Sequence, residues 1–398
     1  MSKRSSKQPV TIGAVVFVIM LLCISFIFNN LPSDPAATPS STDPVVVDTV
    51  SPVVEQNTPP AGDLPGWLQV YFTDPNPPDQ VDNGIDRYVV PWIEGASSTI
   101  DIASFDLNLP SVVDALAAAA KRGVTVRVVV DAENGNQVLK ASDSPTGKDY
   151  NATKILKAAK IKIVDGGRSN GLMHDKMLII DSQVLFMGSW NFSYNDTFRN
   201  NNNLLQITDP ELIANYQAKF DELFVDQLFG THAEANVLNP SLTIDGVAVE
   251  NYFSPRDEVM AKLVDYVGAA KKSVHFIIFT FTHKDLANAM IERAAAGVDV
   301  RGIIENRGAS QGVFPSLFCA KLPVKEDGNK YTMHHKVIII DGKTVITGSF
   351  NFTNSADDSN DDNVLIIHSK AVAALYEQEY QKIYAEGNTP PASDVVCP

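Results

Sequence analysis

The sequence predicts a mixed α/β layered fold, built twice in tandem with helices outside the strands, behind an apolar N-terminal segment. Two stretches of the 398-residue chain align without a gap at a constant offset of 160. Around each, apolar strand-like segments alternate with amphipathic helical ones, the pattern of a mixed sheet covered by helices. Hydrophobic residues at 44% and charged residues at 20% are ordinary globular usage, which excludes wholesale disorder and collagen-like structure.

The duplication is densest where HDKMLIIDSQVLFMGSWNFSYNDTFRNNNNLLQI (174–207) lies over HHKVIIIDGKTVITGSFNFTNSADDSNDDNVLII (334–367). Thirteen of these 34 positions are identical, and His, Lys, Asp, Gly, Ser and Asn dominate them. Upstream, GVTVR (123–127) echoes GVDVR (297–301), and Tyr71-Phe72 echoes Tyr252-Phe253. Two units follow, 66–230 and 231–398, too few and too long for a solenoid. Each opens on a buried strand, IDIASFDL (100–107) or VHFIIFTF (274–281). A helix follows over Pro110–Arg122 or Lys284–Ala296, each closed by a glycine. A second strand precedes a tight strand pair, MLIID with VLFMG or VIIID with TVITG, and an amphipathic helix closes each unit near 210–224 and 370–384.

Residues 1–9 carry Lys3, Arg4 and Lys7, and 10–28 hold no charge in 19 residues. At about 1.5 Å rise per residue this run spans a hydrocarbon core of roughly 30 Å. No Lys or Arg follows until Arg87, so the positive-inside rule keeps the N-terminus cytoplasmic and exports the body: a single-pass membrane protein with an extracytoplasmic catalytic part. A cleaved signal peptide is the alternative, although the run is long and Phe26 to Leu31 offers no small-x-small site. Residues 29–65 hold eight prolines, five acidic residues and no basic one, a disordered tether. In an oxidising compartment Cys319 and Cys397 can pair or remain thiols; sequence does not give their separation. The net charge of −15 argues against broad non-specific attachment to nucleic acid.

The chemistry concentrates in H-x-K-x4-D followed by G-S-x-N. His174, Lys176, Asp181, Gly188, Ser189 and Asn191 form the first set; His334, Lys336, Asp341, Gly348, Ser349 and Asn351 form the second. In a strand, positions i and i+2 share a face, so each His and Lys point together. Ser189, Asn191, Ser349 and Asn351, beyond a tight turn, are expected to bind the non-bridging oxygens of a phosphodiester, with an imidazole for attack or proton transfer. Asp181 and Asp341 fall at the strand ends on the other face and read as structural. His335 points away from His334, and His232, His275, His283 and His368 lack the duplicated context.

The doubled motif resembles the phospholipase D superfamily over roughly 67–388. That resemblance implies two phospholipase D-like α/β units packed as a pseudo-dimer around one active site. It implies a two-step reaction: one His attacks phosphorus to give a phosphohistidine, and the other protonates the leaving alcohol and then activates water. No metal and no cofactor is implied, and the catalytic body is expected to be monomeric. In relatives resembling the small bacterial nucleases, a carboxylate 28 residues after the His orients its ring. Here that position is Asp362 after His334 and Asn202 after His174. The expectation is therefore that Asp362 serves His334, which holds its proton as the acid, while Asn202 keeps His174 neutral and nucleophilic.

Three functions compete. The first is a membrane-anchored hydrolase that takes phospholipid to phosphatidic acid and a head-group alcohol, with phosphatidyl transfer, as in a cardiolipin synthase, as a variant. The second is a metal-independent endonuclease acting on DNA or RNA, for which Lys154, Lys157, Lys160, Arg168, Lys321 and Lys325 are candidate rim cations. The third is a non-catalytic adaptor, which two complete motifs disfavor.

Overall fold

The computed structural model describes residues 64–167, 171–234 and 237–398. The apolar run 10–28, the tether up to residue 63, and Arg168 lie outside the described residues. Among the described residues no helix is long and apolar enough to cross a membrane.

The first copy runs β1 (Leu68–Phe72), α1 (Val90–Gly95), β2 (Thr99–Ser104), α2 (Pro110–Arg122) and β3 (Thr125–Val130). A small ribbon of β4 (Val138–Leu139) and β5 (Tyr150–Asn151) leads into α3 (Ala152–Ala158) and β6 (Lys162–Asp165). Then come β7 (Lys176–Ile180), β8 (Val184–Gly188), α4 (Tyr194–Phe198), β9 (Asn203–Ile207) and α5 (Pro210–Asp221). An added strand, β10 (Ser241–Ile244), precedes the second copy: β11 (Val247–Ser254), α6 (Val259–Gly268), β12 (Ser273–Ile278), α7 (Lys284–Ala295) and β13 (Asp299–Ile304). It continues through α8 (Phe314–Cys319), β14 (Val324–Glu326), β15 (Lys336–Ile340), β16 (Thr344–Gly348), α9 (Asn354–Asp358), β17 (Asp362–His368) and α10 (Lys370–Glu386).

The sheets are ordered β1-β9-β8-β7-β2-β3-β6 and β10-β11-β17-β16-β15-β12-β13-β14. Strands joined through helical crossovers pair in parallel, β2 with β3 and β12 with β13, and hairpin-joined strands pair antiparallel. Strand alternation sorts the apolar residues. Met177 and Ile179 of β7, with Val337 and Ile339 of β15, enter one core shared by both copies, together with α5 and α10. Leu178 and Ile180 instead face α2, and Ile338 and Ile340 face α6 and α7, in two outer cores.

The helix α2 starts with Pro110 in its first turn and stops at Gly123, whose φ of 99° is left-handed. The helix expected to end near Phe224 ends at Asp221 and continues as a π turn over Glu222–Asp226. The short helices α4 and α9 had no sequence signal, since five residues are too few to show a period. The hydroxyls of Ser193 and Thr353 cap them. The Asn-rich runs are packed: every residue of Asn200–Asn203 and Asn360–Asn363 is buried, the carboxylates of Asp361 and Asp362 included. Cys319 and Cys397 are disulfide-bonded, tying the C-terminal tail to α8.

Asp181 and Asp341 sit at the hairpin turns. Asp181 and Ser182 have φ of 51° and 53°, and Asp341 and Gly342 have 55° and 60°, the paired left-handed residues of a tight hairpin. The Asp181 carboxylate accepts from the N–H of Ser97, Ser98 and Thr99 at 2.8 Å each. Asp341 does the same for Lys271, Lys272 and Ser273. Each therefore ties its hairpin to the start of the neighbouring strand. The motif glycines are also structural: a Cβ on Gly188 or Gly348 would collide with the carbonyl of Asn203 or Asn363. Asp181→Ala and Asp341→Ala are each expected to lower unfolding free energy by about 1–3 kcal/mol, the scale of a lost charged acceptor. Activity per folded molecule should stay within about twofold, checked by urea unfolding beside rate measurements on the same preparations.

Candidate active site

Both motif histidines stand two residues before a strand, and each is pinned by the other copy. His174 N–H donates to the Asp361 carbonyl at 2.9 Å, and His334 N–H to the Asn201 carbonyl at 2.9 Å. One residue earlier, Met173 N–H binds the Asp131 carboxylate at 2.9 Å and Met333 N–H binds Glu305 at 2.8 Å. The histidine contacts repeat at the offset of 160, and Asp131 and Glu305 occupy the same place after their strands, so the copies are related by an approximate two-fold at the site.

The ring partners are crossed. His174 Nδ1 lies 2.7 Å from Asp362 Oδ1, and His334 Nδ1 lies 3.0 Å from Asn202 Oδ1. This corrects the expectation that Asp362 orients His334 and Asn202 orients His174. A spacing of 28 places the partner beyond the strand pair, at the two-fold, where the nearest ring belongs to the other copy. Asn202 Nδ2 donates to the Asp196 carbonyl at 3.1 Å, so its Oδ1 faces the ring and His334 Nδ1 carries a hydrogen. Both rings thus offer Nε2 to the site.

Ser189 and Ser349 are not phosphate ligands here, a second correction. Both are fully buried. Ser189 Oγ donates to Asn202 Oδ1 at 2.9 Å, and Ser349 Oγ to Asp362 Oδ1 at 2.6 Å. Each hydroxyl also accepts the N–H of Asn203 or Asn363 at 3.0 Å, so it positions a histidine partner. The two asparagines differ. Asn191 Nδ2 is held by Asp196 at 2.8 Å, whereas Asn351 is half-buried and its Oδ1 has no partner.

Lys176 Nζ donates to the His174 carbonyl at 2.6 Å and Lys336 Nζ to the His334 carbonyl at 2.8 Å. Each is 1% exposed and keeps donors for an anion. Phe105 and Phe279 stand edge-on to His174 and His334, at ring separations of 5.4 and 4.8 Å. Burial lowers the pKa of both lysines, and for Lys336 the neighbouring Lys176 adds to it. His174 is lowered by burial, with Asp362 opposing. His334 is held well below its ordinary value by burial and by Lys336, Lys176, His174 and His335. Burial and the neighbouring cations thus favour the neutral His334 ring, against the expectation that a carboxylate partner holds its proton; a phosphoryl anion beside it favours the charged ring. Such a site can take a monoanionic phosphoryl group between two ammoniums and two imidazoles.

A family model described as cardiolipin synthase, PLD-like domain, matches residues 89–224 and 263–384. The chain belongs to the phospholipase D superfamily. It is 33% identical over 127 residues to a mitochondrial cardiolipin hydrolase of Chlamydomonas reinhardtii, covering 31% of this chain and 57% of that protein. It is 33% identical over 134 residues to a phospholipase D of Rickettsia bellii, covering 33% of this chain and 67% of that one. The match thus spans less than two thirds of the mitochondrial cardiolipin hydrolases. The fold is shared with a phosphatidylserine synthase of Haemophilus influenzae, at TM-score 0.61 and 13% identity over 83% of this chain and 88% of that one.

Placed in this superfamily, the chain shows supporting residues that motif reading missed. Asp131 and Glu305 hold the backbone before each histidine, and Asp196 reaches the His334 side of the site. Asp196 was legible only as a mismatch, since the offset puts Ala356 over it. His335 is buried on the other face, with Asn203 at 3.3 Å and Glu379 at 3.4 Å. Lys154 and Lys157 lie on α3, Lys160 and Lys321 just beyond α3 and α8, and Lys325 Nζ is spent on the Tyr384 carbonyl at 2.8 Å. Asp362→Asn tests the crossing. The carboxylate raises the His174 pKa and the neutral ring is the nucleophilic form, so removing it should move the acidic limb of the kcat/KM profile to lower pH. The rate should fall about 10²–10⁴-fold, since charge on the reacting ring loses its counter-charge.

Proposed function

We propose that the chain is a phosphodiesterase that hydrolyses phospholipid to phosphatidic acid and a head-group alcohol through a phosphohistidine. The carrying observation is the crossed pair of rings: His174 on Asp362 and His334 on Asn202, with Nε2 of each free beside Lys176 and Lys336. His174 Nε2 attacks phosphorus while Asp362 accepts its Nδ1–H and balances the charge on the phosphorylated ring. His334 Nε2–H gives its proton to the departing oxygen as the P–O bond breaks. His334, now neutral, takes a proton from water, which attacks phosphorus and releases His174. The two lysines balance the phosphoryl oxygens throughout.

A lipid substrate is supported by the activities that the relatives are named for and by the apolar run 10–28 beside a proline-rich tether, read as a membrane anchor. The charge pattern also disfavors a long polyanion. Arg199 is paired with Asp79 at 2.7 Å and Asp143 at 2.9 Å, and Arg307 with Glu305 at 2.6 Å, so both arginines are neutralised. The disulfide agrees with an exported body and a cytoplasmic N-terminus.

The full-length chain in detergent should release phosphatidic acid from phosphatidylcholine or cardiolipin and keep that activity in excess chelator, because lysines and histidines supply the charge. Cleavage of single-stranded DNA or RNA with lipids untouched would replace the lipid reading by the nuclease one; phosphatidylethanol formed in ethanol would reveal transfer. A leaving-group series separates the histidines. With a p-nitrophenyl ester, His334→Ala should give a burst with slow turnover, since little protonation is needed but water lacks its base. His174→Ala should give none. Protease added to intact cells should cut within 29–65 and release active body; full protection would remove the topology.

A further inference from the structure

The copies exchange a carboxylate between two positions. Twenty-two residues after the first motif histidine stands Asp196, and 28 after it Asn202; in the second copy the same positions are Ala356 and Asp362. Each copy has one acid and one uncharged residue there, in opposite order. The fold carries both positions to the same place, because α4 and α9 open alike after G-S-x-N and β9 and β17 begin alike.

Asp196 is 3% exposed and turned into the site. Its Oδ2 lies 3.5 Å from His334 Nδ1 and accepts from Asn191 N–H at 2.9 Å and Asn191 Nδ2 at 2.8 Å. Its Oδ1 accepts from Asn200 Nδ2 at 2.6 Å, and Asn200 Oδ1 in turn takes the N–H of Thr332, two residues before His334. In the second copy Ala356 reaches nothing of this kind, and Asp362 meets the His174 ring directly. Around His334 the facing cations are Lys336 and His335 on its own segment and Lys176 and His174 on the other copy's. The anion beside its ring is Asp196 on α4 of the other copy; Asp362 on β17 of its own copy and Asp106 after β2 of the other act, with Asp196, on Lys176.

We propose that Asp196 is the positioning residue of His334, supplying from position 22 the negative charge that Asn202 at position 28 lacks, so that His334 can carry the proton it gives to the leaving alcohol. The arrangement keeps the crossing: Asp362 of the second copy serves His174, and Asp196 of the first serves His334. Two functions that one carboxylate performs for His174 are divided for His334. Asn202 fixes the tautomer by accepting Nδ1–H, and Asp196 offsets the charge of the protonated ring from just beyond hydrogen-bond range. The proton is not shared with Asp196. It leaves from Nε2, while Nδ1 keeps its hydrogen and donates it to Asn202 Oδ1.

The inference rests on the proposed two-histidine reaction, and two readouts separate their failures. Asp196→Asn removes charge but keeps shape. On phosphatidylcholine, whose alkoxide must be protonated, kcat/KM should fall about 10–100-fold, within the usual reach of general-acid catalysis. The basic limb of the profile, where His334 loses its proton, should move to lower pH. On phosphatidyl-p-nitrophenol the fall should stay within about threefold. Adding Asn202→Asp to Asp196→Asn should restore both rate and limb, since the acid returns at position 28. Equal loss on both esters with no movement of the limb, or no recovery in the double variant, would overturn the proposal and leave Asp196 a mere brace for Asn191 and Asn200. If Asp196→Asn does not fold, Asn202→Asp alone decides. With Asp196 already in place it should change kcat/KM by less than about threefold; a gain of tenfold or more would show that His334 lacks an anion and overturn the proposal. Nitrogen-15 NMR of the His334 ring with inorganic vanadate bound needs no turnover. Asp196→Asn should lower its midpoint by about one unit and the double variant restore it. A protein inactive on both esters that shows this shift loses the lipid reading and keeps the inference; an active protein whose ring does not move loses only the inference.

Discussion

Neither motif histidine is held by its own copy alone. The bonds from His174 N–H to the Asp361 carbonyl and from His334 N–H to the Asn201 carbonyl fix both at the two-fold, and both rings take their Nδ1 partners from across it. Everything else follows from keeping that junction rigid. The inner faces of both sheets and the helices α5 and α10 merge into one core, in which Met177 and Ile179 belong with Val337 and Ile339. A single copy would expose that apolar face to water and leave its histidine with a free ring. Completing the site and completing the core are therefore the same event.

The rigidity also sustains two buried ammoniums. Lys176 and Lys336 each have a carbonyl as their hydrogen-bond partner, and burial pushes both away from the charged form. Desolvating a cation costs several kcal/mol unless an anion repays it. Asp362 and Asp196 repay part, and a bound phosphoryl group supplies the rest. The two lysines are thus poised toward an anion while the chain as a whole is acidic, at −15. On the proposed reading, the two buried lysines attract one phosphate at short range, where low dielectric strengthens the attraction.

How much of this could be read from the sequence depends on the range of each interaction. Strand period gave the shared direction of His and Lys. The helix beginning at Pro110 and ending before Gly123 announced itself by its ends, and the left-handed turn at Asp181 explains an aspartate on the wrong face for chemistry. Such signals lie within a few residues. The spacing of 28 was also visible, but a distance along the chain does not say which of two symmetry-related rings it reaches; the assignment of Asp362 to His334 failed for that reason. Ser189 and Ser349 have the composition of phosphate ligands and are instead consumed by Asn202 and Asp362, which no one-dimensional pattern reveals. Asp196 sits in a helix of five residues, too short for periodicity, and only its replacement by Ala356 across the offset marks it.

The same offset shows that the copies are fitted to each other and not to themselves. Asp175 and Lys219 of the first correspond to His335 and Glu379 of the second, so the charges at these buried positions change kind. Lys219 binds Glu222 at 2.8 Å and Asp361 of the second copy at 3.0 Å. Burial works against its charge, but Asp361, Glu222 and Asp175 raise its pKa overall. Asp175, pushed up to about 7 by burial above all, takes Asn363 Nδ2 at 2.8 Å. Two first copies would set Lys219 against Asn201 and lose the ion pair across the junction. Two second copies would set Glu379 toward Asp361, bringing two carboxylates together in a dry interface, where like charges repel most. Only the mixed pairing satisfies both sides. The asymmetry that gives the two histidines different partners thus extends below the site into the core.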